Sequence, residues 1–422
     1  MYPVFSRSVM RRFDALRLAF ALCIITSASN LQAPLYSALA AKDGVGVGAT
    51  TVAFACYVFG IIPVLLALNG LSERVGRKPL ILAALVLCLM ATTLTLVAPG
   101  ILALGAARFL VGVATALASS VAPGYMYDLF SGGDHRRAAN WVTAATSLGF
   151  GLGPAVTSLF LLQASSLTPP SFPLYLLAAA LAFVLVAGLR DDAARSSLAP
   201  LARLPFFPAG SLIFGWAILL AWGTVGLVIA ILPSALQRHG LSEWSGFAVL
   251  ATCSCGVLFQ PLARLLPSRI STRIGLLILP VAYSLIAWGA LHGQFAGVLA
   301  GAVLASSACY GFIYLGGLSA VLALGEERRA AASAGFFLMA YFGFILPVIV
   351  TGVLVDLWGH QVALIVYGMA LTIGVLAEIA SLHGGSAMAS PQALPYSAMP
   401  RKTCVITRRG AGSSKDSAGP SL

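Results

Sequence analysis

Asn69-Gly70-Leu71-Ser72-Glu73-Arg74-Val75-Gly76-Arg77-Lys78-Pro79-Leu80 is a short charged turn set between two apolar runs. Residues 50–70 before it carry no charged side chain, and neither do residues 79–98 after it. A run of about 20 apolar residues has the length that crosses a bilayer as a helix. The stretch therefore reads as the joint between two spans. Gly76 permits a backbone shape that other residues resist. Glu73 is an acid at a helix end, able to cap a neighbouring helix or pair with an arginine.

Working outward, the same alternation fills the chain. Apolar stretches lie near 15–37, 50–70, 79–98, 101–129, 138–162, 172–189, 207–233, 243–263, 273–292, 294–322, 331–355 and 360–382. Of 422 residues, 59% are hydrophobic and only 9% charged. A soluble domain carries about 25% charged residues, and its surface does not shrink fast enough with size to hide so much apolar area. Only helices or closed barrels satisfy the backbone in lipid, and the alternation of barrel strands is absent. The expected fold class is all-α integral membrane, with about twelve spans.

Charge gives these spans a direction. Of the 25 Lys and Arg, only Lys42 and Arg238 fall on one side and only Arg108 within a span; the rest fall on the other side. That bias places both termini in the cytoplasm. It also explains the net charge of +12 as topology and contact with anionic head groups, not nucleic-acid binding. The first span, preceded by basic residues, lacks the cleavage site of a signal peptide. The seven cysteines show no metal-ligand spacing, and six lie inside spans. The five histidines read as scattered, with no metal or catalytic pair. No metal site, no cofactor and no enzyme chemistry are expected: paired catalytic carboxylates, a His-Glu-x-x-His element and an activated nucleophile are all missing.

An internal repeat divides the chain. Arg136-Arg137-Ala138-Ala139 recurs as Arg328-Arg329-Ala330-Ala331, Pro154 matches Pro347, and Ser37-Ala38-Leu39 recurs as Ser234-Ala235-Leu236. The near-common offset implies two six-span halves, 1–189 and 207–383, a connector at 190–206, and a disordered cytoplasmic tail at 384–422. Parallel halves with a site between them describe one large transporter architecture.

On these grounds the opening turn resembles the signature of the major facilitator superfamily, written G-x-L-A-D-R-x-G-R-K. Leu71, Glu73, Arg74, Gly76, Arg77 and Lys78 match in place, with Glu standing for Asp; Asn69 replaces the first Gly and Ser72 the Ala. The resemblance implies the fold of that family, two pseudo-symmetric six-helix bundles. It also implies that the turn latches the halves together in the outward-facing state through an ionic network of Arg74, Arg77 and Asp128. Arg108-Phe109-Leu110-Val111-Gly112 resembles the family's R-F-x-x-G element, and Arg108 is expected to couple to a proton site or substrate, with Gly112 beside it. Gly149, Gly153 and Pro154 resemble the Gly-x-x-x-Gly-Pro element of drug and metabolite exporters, although Thr157 and Ser158 stand where two glycines often follow. Gly and Pro there are expected to kink span five and pack across the half interface.

Candidate cavity residues are Asn30, Gln32, Tyr57, Tyr125, Trp216, Trp222, Gln260, Tyr310, Tyr314 and Tyr341. Aromatics and amides with few charges suit a neutral or amphiphilic organic molecule. Glu378 reads as lying late in span twelve, toward the cytoplasm. The expected protein is a monomeric, proton-coupled efflux transporter of a bacterial inner membrane, with small-molecule substrate, protons and lipid as partners. An uptake symporter or facilitator is the alternative, and a non-transporting sensor a weaker one.

Overall fold

The computed structural model describes residues 3–67, 71–130, 135–191 and 204–384, and all regular structure among them is helical. Among the described residues, ten helices are long and apolar enough to cross a bilayer: Phe13–Asp43, Val47–Ala67, Lys78–Val97, Ile101–Leu129, Arg137–Leu161, Leu212–Ala230, Ser242–Ala263, Ser268–His292, Phe295–Leu324 and Glu326–Leu382. The last holds two spans, because the chain leaves helical geometry at Gly359 (φ 81, ψ 168). Ser171–Ala187 is a shorter apolar helix between the fifth and sixth of these. Counted in chain order, they make twelve spans. Most of the expected connector (192–203), the tail from 385, and the side chain of Glu73 lie outside the described residues.

The outer surface is apolar, with Leu102, Leu177, Leu277 and Leu357 well exposed, as lipid-facing helices require. The interior is packed through small residues. Gly60 of span two and Gly112 of span four touch backbone to backbone. A Cβ on Gly60 would strike the Phe109 carbonyl, and one on Gly112 would strike that of Tyr57. Without a hydrophobic drive between helices in lipid, such close approach is what holds them.

Several spans are interrupted. Span one stops at Ala28, passes through a 3-10 turn at Ala33–Leu35, and resumes as Tyr36–Asp43. Span seven breaks at Ile231 and resumes as Leu232–Gln237. The repeated Ser-Ala-Leu triplets fall on these two resumed helices. Pro154 and Pro347 likewise sit inside spans five and eleven. Span ten carries a π-helical stretch at Ser307–Ile313.

The two bundles meet along spans two and eleven and along spans five and eight. Gly352 packs on Thr51, and Ser254 Oγ donates to the Ser147 carbonyl at 2.7 Å. Here one expectation needs correction. Gly149 and Gly153 do not face the other bundle; they lie against the Cys23 and Ser27 carbonyls of span one. Gly151, two residues from each and so on another helix face, packs against Leu250 and Ser254 of span eight. Pro154 contributes its carbonyl, which lies beside Gly246. Span five is one continuous helix, His135–Leu161, so the Gly-Pro element serves packing on both sides without ending the helix.

Candidate functional site

At the basic end, the turn residues hold their own bundle together. Gly76 adopts φ 99, which lets the chain reverse between Val75 and the helix starting at Lys78. Arg77 lies over Gly124 and forms an ion pair with Asp128. The Lys78 ammonium donates to the Ala187 and Leu189 carbonyls at 2.5 and 2.9 Å, neutralising the negative end of span six. Its backbone N–H donates to Asp191 at 3.2 Å. Tyr125 belongs to this end, its hydroxyl donating to the Arg190 carbonyl at 2.9 Å.

About two turns into span four, Arg108 is 1% exposed and does not snorkel to the surface. Its guanidinium donates to the Ser29 carbonyl and, at 3.4 Å, to the Phe54 carbonyl. The Ser29 carbonyl is free because span one breaks after Ala28. The guanidinium also lies 4.7 Å from the Phe54 ring centre and 4.8 Å from that of Tyr57, a cation–π geometry. No carboxylate pairs with it among the described residues. Its Nε has no partner.

From these rings an aromatic path crosses to the second bundle. Phe344 of span eleven stands 4.8 Å from Phe54 and 6.5 Å from Tyr57. Trp222 of span seven stands 5.8 Å from Phe344, 5.4 Å from Tyr341 and 6.4 Å from Tyr310. Tyr310 sits in the π-helical stretch of span ten, a distortion often found at functional sites. Trp222 Nε1 is buried with no hydrogen-bond partner. Buried indole N–H groups are normally satisfied, so this one is an unused donor at the bundle boundary.

Of the expected cavity residues, Tyr57, Trp222, Tyr310 and Tyr341 are thus brought together. Tyr314 lies beside Phe337, 6.1 Å between ring centres. Asn30 spends its amide on the Phe150 carbonyl at 3.1 Å. Gln32 is 1% exposed, and neither amide atom has a partner. Gln260 accepts from Arg264 at 3.5 Å, close to the contact of Arg264 with Asn140 (3.3 Å). Trp216 is 52% exposed and faces outward. Phe54 and Phe344 were not among the candidates; a lone Phe in an apolar run carries no signal of the face it takes. Glu378 is buried at 7% exposure, with Oε1 unpartnered, and does not open to the basic end as expected.

A family profile described as Major Facilitator Superfamily matches residues 18–325. Two solved structures of the nucleoside transporter NupG are similar in fold. One, a point mutant, has a TM-score of 0.72 at 12% sequence identity, covering 87% of this chain and 99% of its own. The other has a TM-score of 0.68 at 13% identity, covering 88% and 98%. No curated protein matches the sequence.

Proposed function

The chain belongs to the major facilitator superfamily, and from that premise we propose that it carries a small neutral or amphiphilic, ring-bearing organic molecule by alternating access. It is a multi-pass membrane transporter of a small-molecule substrate. The observation that supports this substrate class is the aromatic cluster of Trp222, Tyr310, Tyr341 and Phe344 at the bundle boundary, with the unsatisfied Trp222 Nε1 inside it. Rings offer stacking area without charge, and one unused donor fixes orientation.

The proposed cycle rocks residues 1–189 against 207–383, with the basic end in the cytoplasm of a bacterial inner membrane. Glu73, Arg74 and Asp128 latch the cytoplasmic side when the opposite side opens. Proton-driven efflux is the proposed direction. Glu378 is its proposed proton carrier, since an acid buried within a span with one oxygen unpartnered is a functional group by default. Arg108 couples the broken first span to the rings.

The test is a thermal-shift screen of purified protein against neutral ring-bearing compounds, nucleosides included since the two similar structures carry that name. Hits are then followed as flux in proteoliposomes with and without a protonophore. Binding confined to charged aliphatic solutes would overturn the substrate class. The second reading, uptake or facilitation, is favoured by the absence of a carboxylate paired with Arg108 among the described residues. Flux indifferent to the protonophore, or directed inward, selects it.

A further inference from the structure

At the end opposite the basic turn, the second bundle holds a cavity of about 160 Å³. It is lined by Arg238 and His239 at the end of span seven, Leu291 and His292 at the end of span nine, and His360 and Gln361 at the start of span twelve. Three of the chain's five histidines, scattered in sequence, converge here. No acid lines the cavity. Asp356, the acid nearest in sequence to His360, has its carboxylate held by the N–H groups of Val47 and Gly48.

Hydrogen bonding assigns the proton on each ring. His239 Nε2 lies 3.0 Å from the Leu291 carbonyl and His292 Nδ1 lies 2.9 Å from that of Trp288. A carbonyl only accepts, so both nitrogens carry hydrogen. Ser234 Oγ donates to the Ile231 carbonyl at 2.7 Å, so it accepts from His360 Nε2 at 3.0 Å. The remaining nitrogens, His239 Nδ1, His292 Nε2 and His360 Nδ1, are bare lone pairs in the neutral rings. His360 is 9% exposed, and its Nδ1 has no partner. Each of the three becomes an N–H donor only when its ring is protonated.

Arg238 supplies the standing charge. Lys42, the other basic residue expected on this side, donates to the Pro99 carbonyl, whereas Arg238 forms no ion pair among the described residues. The cluster therefore presents one fixed guanidinium and three imidazole rings around a space that holds several water molecules. A guanidinium fork fits an oxyanion two atoms at a time.

We infer that this cavity binds a small oxyanion, a carboxylate or phosphate group, and binds it more tightly as pH falls. The site is separate from the aromatic cluster and does not rest on the substrate proposed for it. An oxyanion here comes either from a free solute or from an anionic lipid head group.

The test uses sodium sulfate, whose charge is constant across the range, on full-length protein in phosphatidylcholine nanodiscs. Thermal stabilisation is titrated against sodium chloride of equal ionic strength at pH 5.5 and 8. The expected result is saturable stabilisation at pH 5.5, with apparent affinity about tenfold weaker at pH 8 and about tenfold weaker in Arg238→Gln, a loss of about 1.4 kcal/mol each. His360→Gln is expected to lose part of the gain in affinity between pH 8 and pH 5.5, the rest remaining with His239 and His292. Competition by phosphatidylglycerol nanodiscs identifies a lipid head group as the source, and no competition identifies a free solute; both support the site. Equal sulfate affinity in wild type and Arg238→Gln, or no dependence on pH, overturns it.

Discussion

The carboxylate of Asp356, at the end of span eleven, accepts the backbone N–H of Val47, at the head of span two, 2.7 Å away. Its second oxygen takes the N–H of Gly48 at 2.8 Å, so one acid caps a helix that belongs to the other bundle. Gly46 and Gly48 leave room for it; a Cβ on either would collide with the carboxylate. Arg77 and Lys78, at the basic end, engage partners in their own bundle instead. In this conformation the polar clasp between bundles at spans two and eleven is at the end away from the turn. A charge-assisted hydrogen bond is worth about 1.5 to 3 kcal/mol, less when exposed as here. Asp356→Ala is expected to shift the balance toward opening at that end about fivefold or more, the equivalent of about 1 kcal/mol. Spin labels at Ala41→Cys and Gln237→Cys, in a background without native cysteines, report the separation. An unchanged distance distribution removes Asp356 from the clasp.

Gly76 holds φ 99, where a β-branched side chain costs about 1 to 3 kcal/mol. Gly76→Val is expected to reach the membrane and fail to transport, because the turn can no longer place Arg77 on Asp128 and Lys78 on span six. Glu73→Lys, by the proposed latch, has the same phenotype. Membrane abundance and flux in proteoliposomes are measured together. Normal flux in either variant ends the latch role of the turn.

The spans were legible because lipid imposes a length that sequence cannot disguise: residues 101–129 and 243–263 read close to the observed Ile101–Leu129 and Ser242–Ala263. Facing was not legible. Tyr57 and Tyr125 are both tyrosines in apolar runs, yet one stands under Arg108 and the other bonds the Arg190 carbonyl. The break in span one was hidden as well. Asn30-Leu31-Gln32-Ala33-Pro34 keeps the apolar run going, and only Pro34 hints that the helix cannot hold its bonding through that point. The convergence of His239, His292 and His360 had no signature, because tertiary packing alone joins three helix ends that lie 53 and 68 residues apart in the chain.

Trp222 and Tyr125 give a contrast within one experiment. Trp222→Ala removes the ring that touches Phe344, Tyr341 and Tyr310 together with the unused Nε1 donor. Aromatic contacts are worth about 0.5 to 1.5 kcal/mol beyond area, so apparent substrate affinity is expected to fall about tenfold. Trp222→Phe restores part of it, lacking only the donor. Tyr125→Phe breaks a bond at the basic end and leaves affinity unchanged. A Trp222→Ala protein that binds the screened ligand as well as wild type would falsify the cluster as the substrate site.

Arg108 is the sharpest case, because its burial has a bland explanation that can be separated from a functional one. As mere glue, the guanidinium closes the free Ser29 carbonyl at the break in span one, reaches the Phe54 carbonyl, and fills the space under two rings. If glue were all, a hydrophobic side chain of similar length would serve, since replacing a buried charge by well-packed apolar groups is often neutral for stability. Arg108→Met is therefore expected to keep a melting temperature within a few degrees of wild type. Transport is expected to fall by about tenfold or more, since the charge at the base of the aromatic path is gone. Arg108→Lys keeps the charge but not the planar fork, and a single ammonium cannot serve two carbonyls and two rings at once. It is expected to bind substrate while turning over slowly, a change in kcat larger than in KM. Wild-type turnover by the Met variant assigns Arg108 to structure alone. Loss in Met with full activity in Lys assigns the role to charge, and loss in both assigns it to the geometry that joins the broken first span to the rings.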